Sequence, residues 1–126
     1  MIPPLATFAL AGSAMGILVT GMLAVMFLRD PVKGMDWTTH RAGDLPKVMA
    51  NRYTAFTMLA CGATAYRDLT VIAFLFAVFA FMSLADTWIY GQQGLPYAKH
   101  LMAGVAAAVV SVVAIAALVF QPGASV

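Results

Sequence analysis

Four long apolar stretches, separated by short segments that hold most of the charged residues, dominate this sequence of 126 residues. A helix of about 20 apolar residues, rising about 1.5 Å per residue, spans the hydrocarbon core of a bilayer. Each stretch is long enough to do so. The sequence therefore predicts an all-α protein: one integral membrane domain over residues 1–126, in which four transmembrane helices form an up-down-up-down bundle. The predicted spans are residues 4–28, 46–66, 69–90 and 96–120.

The composition leads to the same class of protein. Hydrophobic residues make up 63% of the chain and charged residues 10%, whereas soluble domains carry about 25% charged residues. A soluble domain of this length could not bury so much apolar surface in one core. The formal net charge is only +2, and no basic run is interleaved with aromatic residues. We therefore expect the lipid bilayer, and no nucleic acid, as a partner.

Prolines, glycines and charged residues mark the ends of these stretches. The first ends at Asp30 and Pro31, because proline cannot continue a helix, and Gly91 ends the third. Asp44 is a candidate N-cap for the second stretch. The turns after the second and third stretches are short, which predicts antiparallel neighbours. No Lys or Arg precedes the first stretch, so we expect a retained helix there and not a cleaved signal peptide.

The distribution of lysine and arginine predicts the orientation in the membrane. One face of the predicted bundle carries the 29–47 loop and the 91–97 turn, and the other carries both termini and the turn at Arg67. Six of the seven basic residues belong to the first face: Arg29, Lys33, Arg41, Lys47, Arg52 and Lys99. By the positive-inside rule, we expect the long loop in the cytoplasm and both termini on the non-cytoplasmic side.

Small residues at four-residue spacing mark two of the stretches, a pattern that lets membrane helices approach closely. They serve either packing within the bundle or homo-oligomerisation through the first helix. The third stretch instead has bulky phenylalanines, suited to lipid contact or to filling gaps. The small residues are Gly12, Gly16 and Thr20 in the first stretch and Ala103, Gly104, Ala107, Ala108 and Ser111 in the fourth; the phenylalanines are Phe74, Phe76, Phe79 and Phe81.

Three polar residues are predicted at a similar depth near the cytoplasmic margin. Only residues 53–66 separate Arg52 from Arg67, about 21 Å of helix against a core about 30 Å thick. The two arginines therefore cannot both clear the core without thinning the bilayer, snorkelling or turning inward. Asp86 lies near the end of the third stretch and His100 near the start of the fourth, on the same side. The pattern predicts a polar pocket shared by three helices.

This pocket has a functional and a structural interpretation. An unpaired Asp86 would be costly at that depth, and Arg52, His100 or Lys99 can be its partner. As a functional site, Asp86 and His100 would be the catalytic acid and base. The candidate ligand-binding residues are Arg52, Tyr53, Tyr90 and Lys99. As a structural feature, the same contacts would only fasten three helices together.

Two loop segments give weaker signals. The segment from Asp36 to Arg41 is predicted to be a solvated loop, with a short interfacial segment anchored by Trp37 as the alternative. Arg67 and Asp68 mark a solvated turn.

Metal and cofactor signatures are not evident in the sequence. His40 and His100 lack HxxxH or HExxH spacing, so a metal site is not expected. The single cysteine, Cys61, has no partner for an intrachain disulfide or a CxxC motif. No glycine-rich phosphate loop or GxGxxG motif is present, and we expect no cofactor.

The positions of three residues resemble a known pattern. Arg52 opening the second helix, Ser83 to Asp86 closing the third, and His100 on the fourth resemble small four-helix membrane proteins of bacteria and fungi. These are of unassigned function and DoxX-like in layout. Tyr53 stands where that family has an acidic residue, which argues against a role needing a second carboxylate. The resemblance covers residues 45–115 and implies a compact bundle with a polar pocket, here in a bacterial inner membrane.

Three functions fit these features. In the first, the pocket binds a lipophilic small molecule, or binds and transforms it. In the second, the chain is an accessory or assembly subunit of a larger membrane complex. In the third, it is a minimal oligomeric transporter. Transport is least favoured, because a pathway needs polar residues through the membrane centre and the spans offer mainly Thr57, Thr64 and Ser111.

Overall fold

The computed structural model describes Met22 and residues 24–120. These residues form helices and short connections without a strand, which confirms the all-α class for this part of the chain. Most of the predicted first span, with Gly12, Gly16 and Thr20, lies outside the described residues. After a helical segment over 24–29, the helices are α1 (Pro31–Trp37), α2 (Leu45–Tyr66), α3 (Leu69–Gln92) and α4 (Ala98–Phe120).

Two compact units make up the chain, Met1–Ala50 and Asn51–Val126, and the division falls within α2. In the first unit, Asp30 interrupts the helix as predicted and caps α1, where its side chain accepts a hydrogen bond of 3.1 Å from the backbone N–H of Lys33. Pro31 occupies the first helical position, where its missing N–H costs nothing. The sequence therefore ends one helix and starts the next at a single residue.

The segment predicted as a solvated loop over 36–41 is partly helical. Asp36 and Trp37 form the last turn of α1. Thr39 then adopts a left-handed conformation (φ 59°), and the N–H of His40 bonds the carbonyl of Met35 at 2.8 Å. This hydrogen-bond pattern closes a helix end. The loop therefore begins after Trp37 and not at Asp36. The polar composition did not indicate this, because the helix is closed by a Schellman-type cap made of backbone groups.

The N-terminus of α2 differs in detail from its prediction. Asp44 ends a short 3-10 helix, Ala42–Asp44, directly before Leu45. Its carboxylate lies 3.4 Å from the Nζ of Lys47. An exposed pair of this kind contributes little stability. The start of α2 is within one residue of the predicted start at residue 46.

The turn between α2 and α3 is built as the sequence predicted. Arg67 has a left-handed backbone (φ 56°) and reverses the chain. The carboxylate of Asp68 then caps α3, accepting from the N–H groups of Thr70 at 2.8 Å and Val71 at 3.3 Å. Such a cap satisfies backbone donors that the helix itself leaves unpaired. Arg67 and Asp68 are both exposed, in agreement with a solvated turn.

Small side chains let α3 and α4 pack closely and antiparallel. A Cβ atom on Gly104 would lie 2.8 Å from the Cδ2 of Leu84 and 3.3 Å from its backbone nitrogen. Further along, the hydroxyl of Ser111 donates a hydrogen bond of 2.8 Å to the carbonyl of Ala73. The buried hydrophobic core of the described residues consists of alanines alone: Ala63, Ala73, Ala80 and Ala114. Close backbone approach through small residues is how helices associate in lipid.

The phenylalanines of α3 divide between two environments. Phe74 and Phe81 point outward and are 73% and 72% exposed. Phe79 instead contacts the ring of Phe76, with centroids 5.6 Å apart, and the ring of Phe56 on α2 at 5.5 Å. The phenylalanines that fill gaps therefore lie toward α2, and Phe74 and Phe81 face outward.

Two of the described helices, α3 and α4, are long and apolar enough to cross a membrane. Both helices are largely exposed. In the most apolar stretch of each, only 6% of the residues of α3 and 17% of those of α4 are buried within the protein. Their bounds agree with the predicted spans 69–90 and 96–120 to within two residues at each end. The helix α2 covers the predicted span 46–66 but is not one of these two.

Candidate functional site

The turn between α3 and α4 brings side chains from the C-terminal end of α3 close to side chains from the N-terminal end of α4. Gly94 has a left-handed backbone (φ 67°), and the N–H of Leu95 bonds the carbonyl of Tyr90 at 3.0 Å. These features form a Schellman-type end in which glycine occupies the left-handed position. Gly91, predicted to end the helix, lies inside it. The left-handed residue comes three positions later.

Asp86 and His100 meet across this connection. The Nδ1 atom of His100 lies 3.7 Å from the Oδ2 atom of Asp86. That separation is longer than a hydrogen bond and is an ion-pair distance when the imidazole is protonated. Asp86 lies in the last two turns of α3, and His100 in the first turn of α4. The antiparallel packing thus joins residues fourteen positions apart in sequence.

Tyr90 completes the group by stacking on His100. The two rings are nearly parallel, with an interplanar angle of 11° and centroids 4.8 Å apart. Tyr90 follows Asp86 by four residues, so both side chains lie on one face of α3. His100 therefore contacts a carboxylate and an aromatic face together. We call Asp86, Tyr90 and His100 the polar cluster.

The polar cluster is accessible from outside the protein. The side chains of His100 and Asp86 are 31% and 48% exposed, and Tyr90 is also exposed. Because the imidazole can donate and accept hydrogen bonds, the cluster has the chemistry to bind a hydroxyl or carbonyl group and to exchange a proton with it.

The other predicted site residues do not join this cluster through an ion pair. Arg52 is exposed, and among the described residues no acidic side chain lies within ion-pair distance of it. The Asp86 partner is thus His100, one of the alternatives that the sequence left open. Tyr53 makes an edge-on contact with Phe56, with centroids 6.1 Å apart. Lys99 is exposed beside His100.

A second feature, not predicted from the sequence, is an open apolar cleft of about 720 Å³ between α2 and α3. One wall is the face of α2 from Ala55 to Tyr66, and the other is formed by Val71, Phe74 and Leu75 of α3. The signal in the sequence was the pair of small residues Ala55 and Gly62, seven positions apart on one helix face. This apolar cleft lies toward the turn at Arg67, at the other end of α3 from Asp86.

Comparisons with known proteins add no relative: no protein-family model, no curated protein and no solved structure matches this chain.

Proposed function

We propose that this chain is an integral membrane protein with four spans, and that its polar cluster binds the polar group of a lipophilic small molecule at the cytoplasmic margin of the bilayer. The observation that carries the proposal is the approach of His100 to Asp86 at 3.7 Å, with Tyr90 stacked on the imidazole. The residues of this cluster lie at one end of two helices of membrane length.

The exposed surface of α3 and α4 supports the membrane location. Phe74, Phe81, Met102 and Val112 are all more than half exposed. Soluble monomers rarely expose large apolar patches, whereas lipid tails solvate apolar side chains without cost. The sequence predicts two further spans, at 4–28 and in α2, and four spans in all is the number in the DoxX-like family that the sequence resembles. The basic residues favour a cytoplasmic 29–47 loop and non-cytoplasmic termini. The location that we propose is a bacterial inner membrane.

The depth of the cluster favours a ligand with an apolar body and a polar end. Asp86 follows Leu69 by about 26 Å along α3, at 1.5 Å per residue, close to the thickness of the hydrocarbon core, about 30 Å. A ligand whose hydroxyl or carbonyl group binds His100 can therefore leave its apolar part in the bilayer. In this proposal Lys99, Arg52 and Tyr53 are secondary contacts, the two cations for an anionic substituent.

Two variants test the site. Asp86→Asn removes the carboxylate charge with little change in shape, and His100→Gln removes the imidazole. Each is compared with wild type in native membranes by photolabelling with a lipophilic alcohol that carries a diazirine. We expect labelling of the α3–α4 hairpin to fall about tenfold in both variants, a loss of about 1.4 kcal/mol in binding. Asp36→Asn, which changes an exposed carboxylate outside the cluster, is the matched control.

The structural alternative predicts a different result. If the polar cluster only fastens α3 to α4, both variants lower the stability of the protein in detergent and leave labelling unchanged. Acid–base catalysis by Asp86 and His100 is an extension of the binding function. It requires that a bound probe be converted by wild-type membranes and remain unchanged with His100→Gln.

A further inference from the structure

The apolar cleft has the length of one leaflet of a bilayer. From Tyr66 to Ala55 its α2 wall rises about 16 Å at 1.5 Å per residue, and half of a hydrocarbon core about 30 Å thick is about 15 Å. Met58 and Leu59 on this wall are 70% and 53% exposed, and Phe74 faces them from α3. The volume of about 720 Å³ is within the range of about 300–1,000 Å³ for small-molecule sites.

Arg67 lies at the turn between α2 and α3, the two helices that line the cleft, and is a cation without an ion pair among the described residues. Arg67 follows Tyr66, which lines the cleft and is 80% exposed. The nearby carboxylate of Asp68 accepts hydrogen bonds from two backbone N–H groups of α3. No ion pair to Arg67 occurs among the described residues. The guanidinium is therefore available to an anionic group from outside the chain.

From this charge complementarity and the matching length, we infer that the cleft binds a phospholipid. One acyl chain lies along α2 and α3, and the phosphodiester is held by Arg67 at the margin of the membrane. Arginine suits this role because its planar guanidinium donates two parallel hydrogen bonds to phosphate oxygens. The inference rests on the membrane location proposed above but not on the polar cluster, which lies about 16 Å further along α3, from Leu75 to Asp86.

Gly62 provides a direct test of the acyl-chain site. A Cβ atom at Gly62 meets nothing within 4 Å, and the residue lines the cleft. Gly62→Leu therefore introduces a side chain into the cleft, with open space around its Cβ atom. Cys61→Leu is the matched control, since Cys61 is exposed on the same helix and is not among the lining residues.

Arg67 provides the test of the phosphate site. Its left-handed backbone (φ 56°) is tolerated by asparagine, so Arg67→Asn removes the charge while keeping the turn. Arg67→Lys keeps the charge but loses the fork geometry. Arg41→Gln removes an exposed cation from the 29–47 loop and serves as the control for net charge.

The experiment measures lipid retention by native mass spectrometry after reconstitution with phosphatidylglycerol. We expect one phospholipid per wild-type chain, also on Cys61→Leu and Arg41→Gln. Retention should be at least about tenfold lower on Gly62→Leu and Arg67→Asn, and intermediate on Arg67→Lys. Unfolding in detergent establishes that each variant folds.

Three results would overturn the inference. The first is equal retention by wild type and Gly62→Leu. The second is a wild-type dimer that Gly62→Leu dissociates, which would assign the cleft to a second copy of the chain. The third is a chain released from membranes by alkaline extraction, which would also overturn the proposed membrane location. If the chain resists extraction and the first or second result is found, only the lipid site is lost.

Discussion

Ser111 on α4 donates its hydroxyl hydrogen bond to the main-chain carbonyl of Ala73 on α3, at 2.8 Å and away from solvent. This is a bond between two helices, whereas Thr57, Thr64 and Thr87 bond carbonyl groups within their own helices. The bond holds α3 against α4 near the N-terminal end of α3, away from the polar cluster. Leu84 on α3 and Gly104 on α4 also approach closely. Together, this contact and the Ser111 hydrogen bond fix how the two helices align and therefore which side chains meet near Asp86.

The Ser111 bond predicts a measurable loss of stability when it is removed. Interhelical hydrogen bonds of this kind in membrane proteins contribute about 0.6 kcal/mol on average and up to about 1.7 kcal/mol. We expect Ser111→Ala to lower the free energy of unfolding by an amount in that range, measured by denaturation in mixed micelles. Thr64→Ala, which removes a bond within α2, is expected to have a smaller effect. An equal effect for both would contradict the interhelical role.

Adding a single methyl group at Gly104 is expected to destabilise the protein more than Ser111→Ala does. Because a Cβ there would lie 2.8 Å from Leu84 Cδ2 and 3.3 Å from its backbone nitrogen, Gly104→Ala must displace the Leu84 side chain and the adjacent backbone of α3. We expect a loss of about 1–3 kcal/mol in unfolding free energy. Gly62→Ala enters open space and should be neutral or slightly stabilising, by up to about 1 kcal/mol. The packing account fails if the two variants have the same stability.

The backbone of Gly94 supports a third prediction. A Cβ at Gly94 or at Gly43 would meet nothing within 4 Å, but only Gly94 has a left-handed φ of 67°. Gly94→Ala is therefore expected to cost about 1–2 kcal/mol from backbone strain alone, and Gly43→Ala less than about 0.5 kcal/mol. Gly94→Asn should recover part of the loss. Thermal unfolding of the three variants measures this, and a neutral Gly94→Ala would exclude the left-handed turn.

The orientation in the membrane is testable by cysteine accessibility in a Cys61→Ser background. Gly43 is exposed with open space around it, and Tyr66 is exposed at the other end of α2. We expect Gly43→Cys to react with an impermeant maleimide only from the cytoplasmic side, and Tyr66→Cys only from the opposite side. Labelling of both from one side would show that α2 does not cross the membrane.

The bounds of the described helices could be predicted from the sequence because they depend on local chemistry. Runs of apolar residues formed α3 and α4 within two residues of the expected positions, and Asp30 and Asp68 cap helices through side chains that reach their own following N–H groups. Helix caps are local hydrogen bonds, but the N-cap that the sequence indicated was Asp44, which instead ends a 3-10 helix. Asp30 and Asp68 were expected only at a helix end and in a turn. The seven-residue helix α1 was missed because its cap at Thr39 uses backbone groups that no residue type signals.

The sequence by itself determined the helical class and the end of the helices at which Asp86 and His100 lie, because both follow from the order of residues along the chain. Only the tertiary structure decided that His100, and not Arg52, is the partner of Asp86, and that Tyr90 stacks on it. It also revealed the cleft between α2 and α3. These features depend on the rotation and spacing of one helix against another, which close contacts such as Gly104 against Leu84 set.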